Sequence, residues 1–187
     1  GLSTDSGIPD YRGAGKVARH PMTFDSFMSG IEAQQRYWSR SFVGFSRIAL
    51  AKPNQGHFAL AKAEQLGRLV GLITQNVDGL HQAAGSAKVL DLHGRLDKVI
   101  CLNCSEVFER AIVDGWIAEL NPTVVRDESI EFTPDGDAEV LFTASFIVPT
   151  CKKCGGTIKP DVVFFGEQVP VARVNEATAW VEAADAL

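Results

Sequence analysis

The chain has 187 residues, a net charge of −5 and an apolar fraction of 45%, which predict one globular domain, or one domain with a small module attached. A sequence pI near 5.4 argues against a nucleic-acid or anionic-membrane surface, because such partners attract basic proteins. No apolar run approaches the ~20 residues that a membrane span needs, and no signal peptide precedes the polar opening. We therefore expect a soluble intracellular protein that binds neither nucleic acid nor membrane.

The N-terminal third of the chain predicts a loop followed by three helices. Small, turn-forming residues dominate positions 1–15 and favour a loop. Thr23 then caps a short helix whose apolar residues, up to Ile31, recur at helical spacing. A second helix is expected over 32–51, and a third over 54–66 with an asparagine cap. These helices would form a compact helical segment before the first strand.

The rest of the chain predicts short strands around an irregular centre. Apolar runs at 69–74 and 89–92 end in polar residues and suit buried strands, with a turn-rich piece between them. A polar, acidic segment follows the first cysteine pair, and strands are expected at 142–148 and 160–165. A closing amphipathic helix runs through Val174. Strands that alternate with helices around such a segment predict a parallel α/β sheet with an inserted module.

The cysteines form two Cys-x-x-Cys pairs, Cys101 with Cys104 and Cys151 with Cys154. Each such turn brings two thiolates to adjacent corners of a tetrahedron, so two turns complete a four-cysteine zinc site. Two disulfides or four buried thiols are the alternatives, and an intracellular location disfavours disulfides. Because four ligands fill the tetrahedron, the zinc is expected to be structural rather than catalytic.

Two of the predicted strands end in polar clusters, which is where open α/β sheets bind ligands. Asn76 and Asp78 are separated by one residue, so their side chains face the same side of an extended backbone. The alternative is an Asx turn, which has the same residue pattern at the end of a strand. His93 is the best candidate for a general base, since imidazole titrates near neutral pH. A hydrogen-bonded structural histidine is the alternative. No role is assigned to His20, His57 or His81.

Two further clusters combine charge with an aromatic ring. Asp10, Tyr11 and Arg12 share the opening loop, where the guanidinium can meet a phosphate or carboxylate, or form a surface ion pair. Tyr37 and Arg40 are three residues apart on the second predicted helix and share a face. That pair either holds an anionic group or belongs to an ordinary amphipathic surface.

Together these clusters resemble the sirtuins, which are NAD-dependent protein deacylases, over essentially the whole chain. The motifs that carry the resemblance are GIPDYRG at 7–13, TQNVDGLH at 74–81, LHG at 92–94, the two Cys-x-x-Cys pairs and KPDVVFFGE at 159–167. The class II branch, with bacterial members and a mitochondrial one, is most similar because of RYW at 36–38, the long segment between the cysteine pairs and PDGD at 134–137. The implied location is the bacterial cytoplasm, or the mitochondrial matrix in a eukaryote.

The resemblance implies a Rossmann-like parallel sheet with an inserted zinc-binding module and a small helical module. The helical module and cofactor loop would occupy residues 16–66, and the zinc-binding module residues 96–158. The Rossmann-like region would combine residues 1–15 with residues 67–95 and 159–187. NAD and an acyl-lysine protein or peptide would meet in the cleft between these regions.

Both ends of the sequence look cut. The resemblance places a first strand and a phosphate-facing turn before the opening residue. It places a further strand with adenine contacts after the last residue.

The resemblance also implies roles for individual residues. His93 would be the base that activates a ribose hydroxyl, and Asn76 would orient the ribose and a water. The cofactor-binding set would be Ile8, Asp10, Tyr11, Arg12, Gln75, Asn76, Val77 and Asp78. The segment that pairs with the substrate backbone by β-augmentation would be Val162, Val163, Phe164, Phe165, Gly166 and Glu167. Tyr37 and Arg40 would hold an acidic acyl group.

The implied reaction removes acyl groups from protein lysine side chains and yields nicotinamide, deacylated lysine and O-acyl-ADP-ribose. Two alternatives stay open from the sequence. Class II relatives have also been assigned ADP-ribosyl transfer, which uses the same NAD site. A non-catalytic zinc-ribbon binding module would explain the cysteines but not the polar strand ends.

Overall fold

A computed structural model describes residues 1–10, 21–125 and 144–186. The helices are α1 (Phe24–Met28), α2 (Ile31–Ala49), α3 (Gln55–Gln65), α4 (Leu80–Ala83), α5 (Arg110–Leu120) and α6 (Val171–Glu182). The strands are β1 (Leu72–Thr74), β2 (Val89–Asp91), β3 (Gly94–Cys101), β4 (Val107–Glu109) and β5 (Ile158–Val162). Among the residues that the structure describes, no helix is long and apolar enough to cross a membrane.

The predicted helix caps are confirmed. Thr23 Oγ1 accepts a hydrogen bond from the Ser26 backbone N–H at 3.1 Å and starts α1. The Asn54 side chain accepts from the Gly56 N–H at 2.9 Å and starts α3. Such caps typically stabilise a helix by about 1 kcal/mol. The sequence predicts Ile31 on the face of the first helix, but this residue begins α2 because Gly30, with φ 152°, breaks the chain between the two helices.

The sequence predicts a loop at the opening of the chain, but the structure has a short helix there. Residues Leu2–Ser6 form a 3₁₀ helix, which Gly7 ends with φ 83°. The N–H of Thr4 donates to Gly1 O at 3.2 Å, and the N–H of Gly7 donates to Thr4 O at 3.0 Å. Small residues fit this tight winding because side chains at i and i+3 eclipse in a 3₁₀ helix.

The strands lie in two small sheets. β1 and β2 pair in parallel, with Leu72 opposite Val89 and Thr74 opposite Asp91. In the second sheet β3 lies between β4 and β5 and is antiparallel to both. The fold class is confirmed as α/β with a parallel strand pair, helices and a separate sheet, in which β3 ends at Cys101.

Two strand predictions are corrected. The strand predicted over 160–165 runs from Ile158 to Val162, because the Phe164 N–H turns away from the ladder to the Glu167 carboxylate at 2.9 Å. The strand predicted over 142–148 is not formed over the described residues 144–148. There the Asn121 side chain bonds both the N–H of Ile147 (2.7 Å) and its carbonyl (2.9 Å), which replaces strand pairing.

Two helices have no counterpart in the sequence predictions. α4 lies in the turn-rich piece after β1, where Gly79 takes a left-handed conformation with φ 73° and the Asp78 carboxylate accepts from the Leu80 N–H. α5 lies in the segment predicted only as polar and acidic, and it buries Val113 and Ile117 completely. Most residues of α5 are apolar, so the description of the whole segment as polar and acidic is wrong over this helix.

A buried polar and aromatic cluster joins α2 to the cysteine-bearing sheet. The Trp38 indole N–H donates to Ile158 O at 3.3 Å. The Arg110 side chain, only 1% exposed, pairs with Asp114 at 2.7 Å and donates to Ser41 O at 3.0 Å. Because a buried charge is costly without partners, these contacts hold α2, α5 and β5 in one fixed arrangement.

Candidate active site and metal centre

One cavity gathers most of the predicted site residues. Its volume is about 510 Å³, which lies within the range of small-molecule and cofactor sites. The opening segment, the ends of β1 and β5, and α2 all contribute to its wall. The predicted residues that line it are Ile8, Asp10, Tyr37, Gln75, Asn76, Val77, Asp78, His93, Val162, Val163, Phe164, Phe165, Gly166 and Glu167.

Three further predicted residues are not among those that line the cavity in the part of the chain that the structure describes. Tyr11 and Arg12 lie outside the described residues. Arg40 is half-buried on α2 and does not line the cavity. The cavity also contains residues that the sequence did not single out, among them Ser3 and Met22.

Ser3 orients the polar end of β1. Its hydroxyl donates to Asp78 Oδ2 at 2.6 Å and accepts from Asn76 Nδ2 at 3.1 Å. The other Asp78 oxygen accepts from the Leu80 N–H at 2.9 Å. Asn76 and Asp78 are therefore held in one orientation by a buried serine that is distant in sequence. Sequence reasoning misses Ser3 because it lies in a turn-rich opening with no periodic signal.

His93 is fixed by its backbone against the end of β5. Its carbonyl accepts from the Val163 N–H at 2.9 Å. Gly94 follows with φ 79°, and a Cβ there would lie 1.9 Å from the backbone oxygen of Asp161. Only glycine permits this approach. The close contact places His93 in the wall of the cavity that Asn76 and Asp78 also line.

The segment 162–167 begins at the last residue of β5 and forms another part of the cavity wall. Val163 binds the His93 carbonyl on one side, and Phe165 O accepts from the Phe24 N–H at 3.0 Å on the other. Phe164 points inward and is 8% exposed, whereas Phe165 is 54% exposed. Backbone hydrogen bonds therefore hold the segment on both sides, to His93 and to the start of α1.

Tyr37 belongs to an aromatic wall of the cavity. Its ring centroid lies 5.1 Å from that of Phe164, 5.5 Å from that of Phe27 and 5.6 Å from that of Trp38. The contacts with Phe27 and Trp38 are edge-on, and such ring pairs add about 0.5–1.5 kcal/mol each beyond area burial. The tyrosine ring is therefore held rigidly where it faces the cavity.

The four cysteines converge on one centre and are positioned to hold a zinc ion. Their sulfur atoms all lie within 4.8 Å of one another, with Cys101 3.5 Å from Cys154 and Cys104 3.7 Å from Cys151. Tetrahedral zinc with Zn–S of ~2.3 Å requires sulfur atoms about 3.8 Å apart. The prediction of a four-cysteine site is confirmed in its geometry.

The ionisation of the cysteines also suits a cation. Burial raises the pKa of Cys101, but backbone N–H groups of Cys104 and Asn103 outweigh it and lower that pKa to about 7. The Gly156 N–H lowers the pKa of Cys154, but the neighbouring sulfurs of Cys104 and Cys101 outweigh it and raise that pKa to about 12. A positive ion at the centre of the cluster would stabilise the thiolate forms of Cys101 and Cys154.

His57 and His81 form a buried pair beside the cavity. Their ring centroids lie 4.9 Å apart, and the side chains are almost fully buried. His57 Nδ1 accepts from the Asn54 N–H at 3.2 Å. Burial lowers the pKa of His57 and is opposed by the Asp78 carboxylate. Burial, then the His57 ring, lower the pKa of His81 against the same carboxylate.

This pair predicts acid sensitivity of the fold. In the unfolded chain both histidines bind protons below pH ~6.5, whereas in the folded chain they bind protons only at lower pH. The free energy of unfolding should therefore fall as pH drops below ~6.5, by up to about 1.4 kcal/mol per pH unit for each histidine. Urea unfolding at several pH values measures this slope. A His57→Gln/His81→Gln double variant should have a flatter slope, and an unchanged slope would contradict the assignment.

Comparison with known proteins agrees with this geometry. The Sir2 family model matches residues 1–187. An NAD-dependent protein deacetylase of Xanthomonas axonopodis pv. citri is 51% identical over the whole chain, which spans 65% of that relative's length. An NAD-dependent protein deacylase of Monosiga brevicollis is 45% identical over the whole chain, which spans 63% of its length.

A solved structure of Sir2 with a p53 peptide and NAD+ is similar in fold. The TM-score is 0.70 at 31% identity, and the alignment covers 98% of this chain and 63% of that one. The chain therefore spans somewhat less than two thirds of these relatives, with one continuous family match from its first residue to its last. On these grounds the chain belongs to the Sir2 family.

Proposed function

We propose that this protein removes acyl groups from protein lysine side chains in a reaction that consumes NAD. The observation that carries the proposal is the single cavity shared by the Asn76–Asp78 pair, His93 and the segment 162–167. A polar strand end, a candidate base and the backbone segment that begins at the end of β5 thus face one space. The names of the relatives, which are NAD-dependent deacetylases and deacylases, support the same reaction.

The polar end of β1 suits the nicotinamide and ribose moieties of NAD. When bound, NAD supplies a glycosidic bond whose cleavage releases nicotinamide. Asn76 and Asp78 offer amide and carboxylate groups that Ser3 already orients. Gln75 and Val77 also line the cavity. Groups held in place before binding lose little conformational entropy when the ligand arrives.

His93 suits the role of general base. An imidazole accepts a proton from a hydroxyl group near neutral pH, and a positioned base typically contributes about 10²–10⁴ in rate. The Val163 N–H and the Gly94 approach to Asp161 fix its backbone. The backbone of His93 is therefore fixed at the wall of the cavity.

The segment 162–167 suits an acyl-lysine peptide. An extended peptide binds an exposed backbone edge by β-augmentation, with side-chain pockets for specificity. The acyl chain would enter beside the aromatic wall that Tyr37 and Phe164 form. The solved Sir2 complexes with p53 peptides support this class of substrate.

The full-length protein mixed with NAD and an acetyl-lysine peptide tests this proposal. We expect nicotinamide release that depends on the peptide, together with deacylated peptide. Nicotinamide release without deacylated peptide would favour ADP-ribosyl transfer or NAD hydrolysis from the same site. A protein that consumes no NAD, with or without the peptide, would contradict the proposal and favour a non-catalytic zinc-binding module.

We also propose a preference for acidic or longer acyl chains, motivated by the spacing of Tyr37 and Arg40 on α2. Tyr37 lines the cavity and Arg40 does not, so the Arg40 side chain would turn toward the cavity to meet an acidic acyl group. Arg40→Met should lower kcat/KM for a succinyl-lysine peptide by about 10–100-fold, because a charged hydrogen bond contributes about 1.5–3 kcal/mol. The value for an acetyl-lysine peptide should change little. Acetyl, succinyl and glutaryl peptides are compared in parallel. A clear acetyl preference that Arg40→Met leaves unaltered would contradict this specificity.

A further inference from the structure

Lys159 lies buried directly beneath the cavity segment 162–167. Its side chain is 4% exposed, and lysine is almost never this buried unless it is paired. Its Nζ donates to Val162 O at 2.5 Å and to Pro160 O at 3.3 Å. The same ammonium lies 3.1 Å from the Glu167 carboxylate. Lys159 therefore contacts both the first and the last residue of the segment.

Glu167 completes this connection. Its Oε2 accepts from the Phe164 N–H at 2.9 Å, and its own N–H donates to Phe164 O at 3.0 Å. The Lys159 ammonium lies 4.9 Å from the Phe164 ring centroid. Burial lowers the pKa of Lys159, and the Glu167 carboxylate opposes that change. One lysine and one glutamate thus define the turn that aims Phe164 into the cavity.

We infer that Lys159 is a positioning residue for substrate binding, which holds the segment 162–167 in the conformation that pairs with an acyl-lysine peptide. This inference rests on the proposed function. Without the ammonium, Val162 O and the largely buried Glu167 carboxylate would each lose a partner, which is costly for a carbonyl and more so for a carboxylate. The segment would shift to bring them to water, and the peptide-binding edge would shift with it.

Replacement of Lys159 should leave the cofactor side of the cavity unchanged. Asn76 and Asp78 are held by Ser3, Thr74 and the start of α4, and none of these bonds involves Lys159. A loss of positioning should therefore raise the KM for the peptide and leave the KM for NAD near its original value. A purely structural defect would instead reduce the fraction of active protein, which lowers kcat and leaves both KM values in place.

Kinetics of the full-length protein test the inference. Lys159→Met should raise the KM for an acetyl-lysine peptide about tenfold or more, with the KM for NAD within about twofold. Lys159→Arg keeps the charge and should restore some of the peptide affinity. Lys98→Met is the matched control, because it breaks a surface ion pair with Glu109 between β3 and β4. It should leave both KM values unchanged.

A second variant keeps the test decisive if Lys159→Met does not fold. Glu167→Gln retains the side-chain volume and an oxygen for the Phe164 N–H, and should give the same rise in peptide KM in weaker form. Direct binding of the acetyl-lysine peptide, measured by fluorescence anisotropy, gives a readout without turnover. Wild-type peptide affinity in each of these variants that folds, with an active wild-type protein, would overturn the inference. A wild-type protein that consumes no NAD would instead overturn the proposed function.

Discussion

Replacing His93 by alanine in the full-length protein is expected to remove nearly all deacylation and to leave the fold and the zinc content intact. The loss should be about 10²–10⁴ in kcat, the usual contribution of a positioned base. The fold should survive because the contact that fixes this residue is made by its backbone carbonyl, which accepts from the Val163 N–H. Steady-state turnover of an acetyl-lysine peptide, thermal unfolding and metal analysis check activity, fold and zinc content in turn.

His57→Gln is the matched control for this variant. His57 is buried but does not line the cavity, so its replacement should reduce stability more than turnover. Near-normal deacylation by His93→Ala would contradict the assignment of His93 as the general base. Loss of zinc or of cooperative unfolding in that variant would show that His93 is structural.

Removing zinc is expected to have the largest effect on stability. Structural zinc sites contribute about 10–16 kcal/mol in small zinc peptides, and a loss of even ~5 kcal/mol should lower the melting temperature by about 10–20 °C. Activity should fall with it, because β5 pairs Ile158 with Cys101 at the cysteine centre and leads directly into the segment 162–167. In a chelator titration, thermal unfolding measures the melting temperature, elemental analysis the zinc content, and turnover of an acetyl-lysine peptide the activity.

Adding zinc back is the control for chelation, and Cys151→Ser is the control for the chelator itself. We expect one zinc per chain, recovery of the melting temperature on addition of zinc, and a lowered melting temperature in the variant without chelator. Purified protein that contains no zinc and melts identically with and without chelator would contradict the metal centre.

The features predicted correctly are those encoded by neighbouring residues. Thr23 and Asn54 cap their helices because a cap bonds backbone groups only two or three residues away. The Cys-x-x-Cys pairs fix half of the metal site by local turns alone. The shared cavity of Asn76, Asp78 and His93 follows from parallel strands that end at the same edge.

The features that escaped prediction depend on contacts between distant segments of the chain. Ser3 acquires its role only when the opening segment packs against the end of β1. The pairing of His57 with His81 requires α3 to meet a one-turn helix that has no sequence signal of its own. The end of β5 is set by Glu167, which withdraws the Phe164 N–H from the sheet. Local propensity carries none of these interactions.

The most direct test of the central claim is the identity and stoichiometry of the products. The full-length protein, incubated with NAD and an acetyl-lysine peptide, should yield equal amounts of nicotinamide, deacetylated peptide and O-acetyl-ADP-ribose by mass spectrometry. Each deacylation event should consume one NAD. Deacetylated peptide with free acetate and unconsumed NAD would contradict the account, as would nicotinamide release that leaves the acetyl-lysine intact.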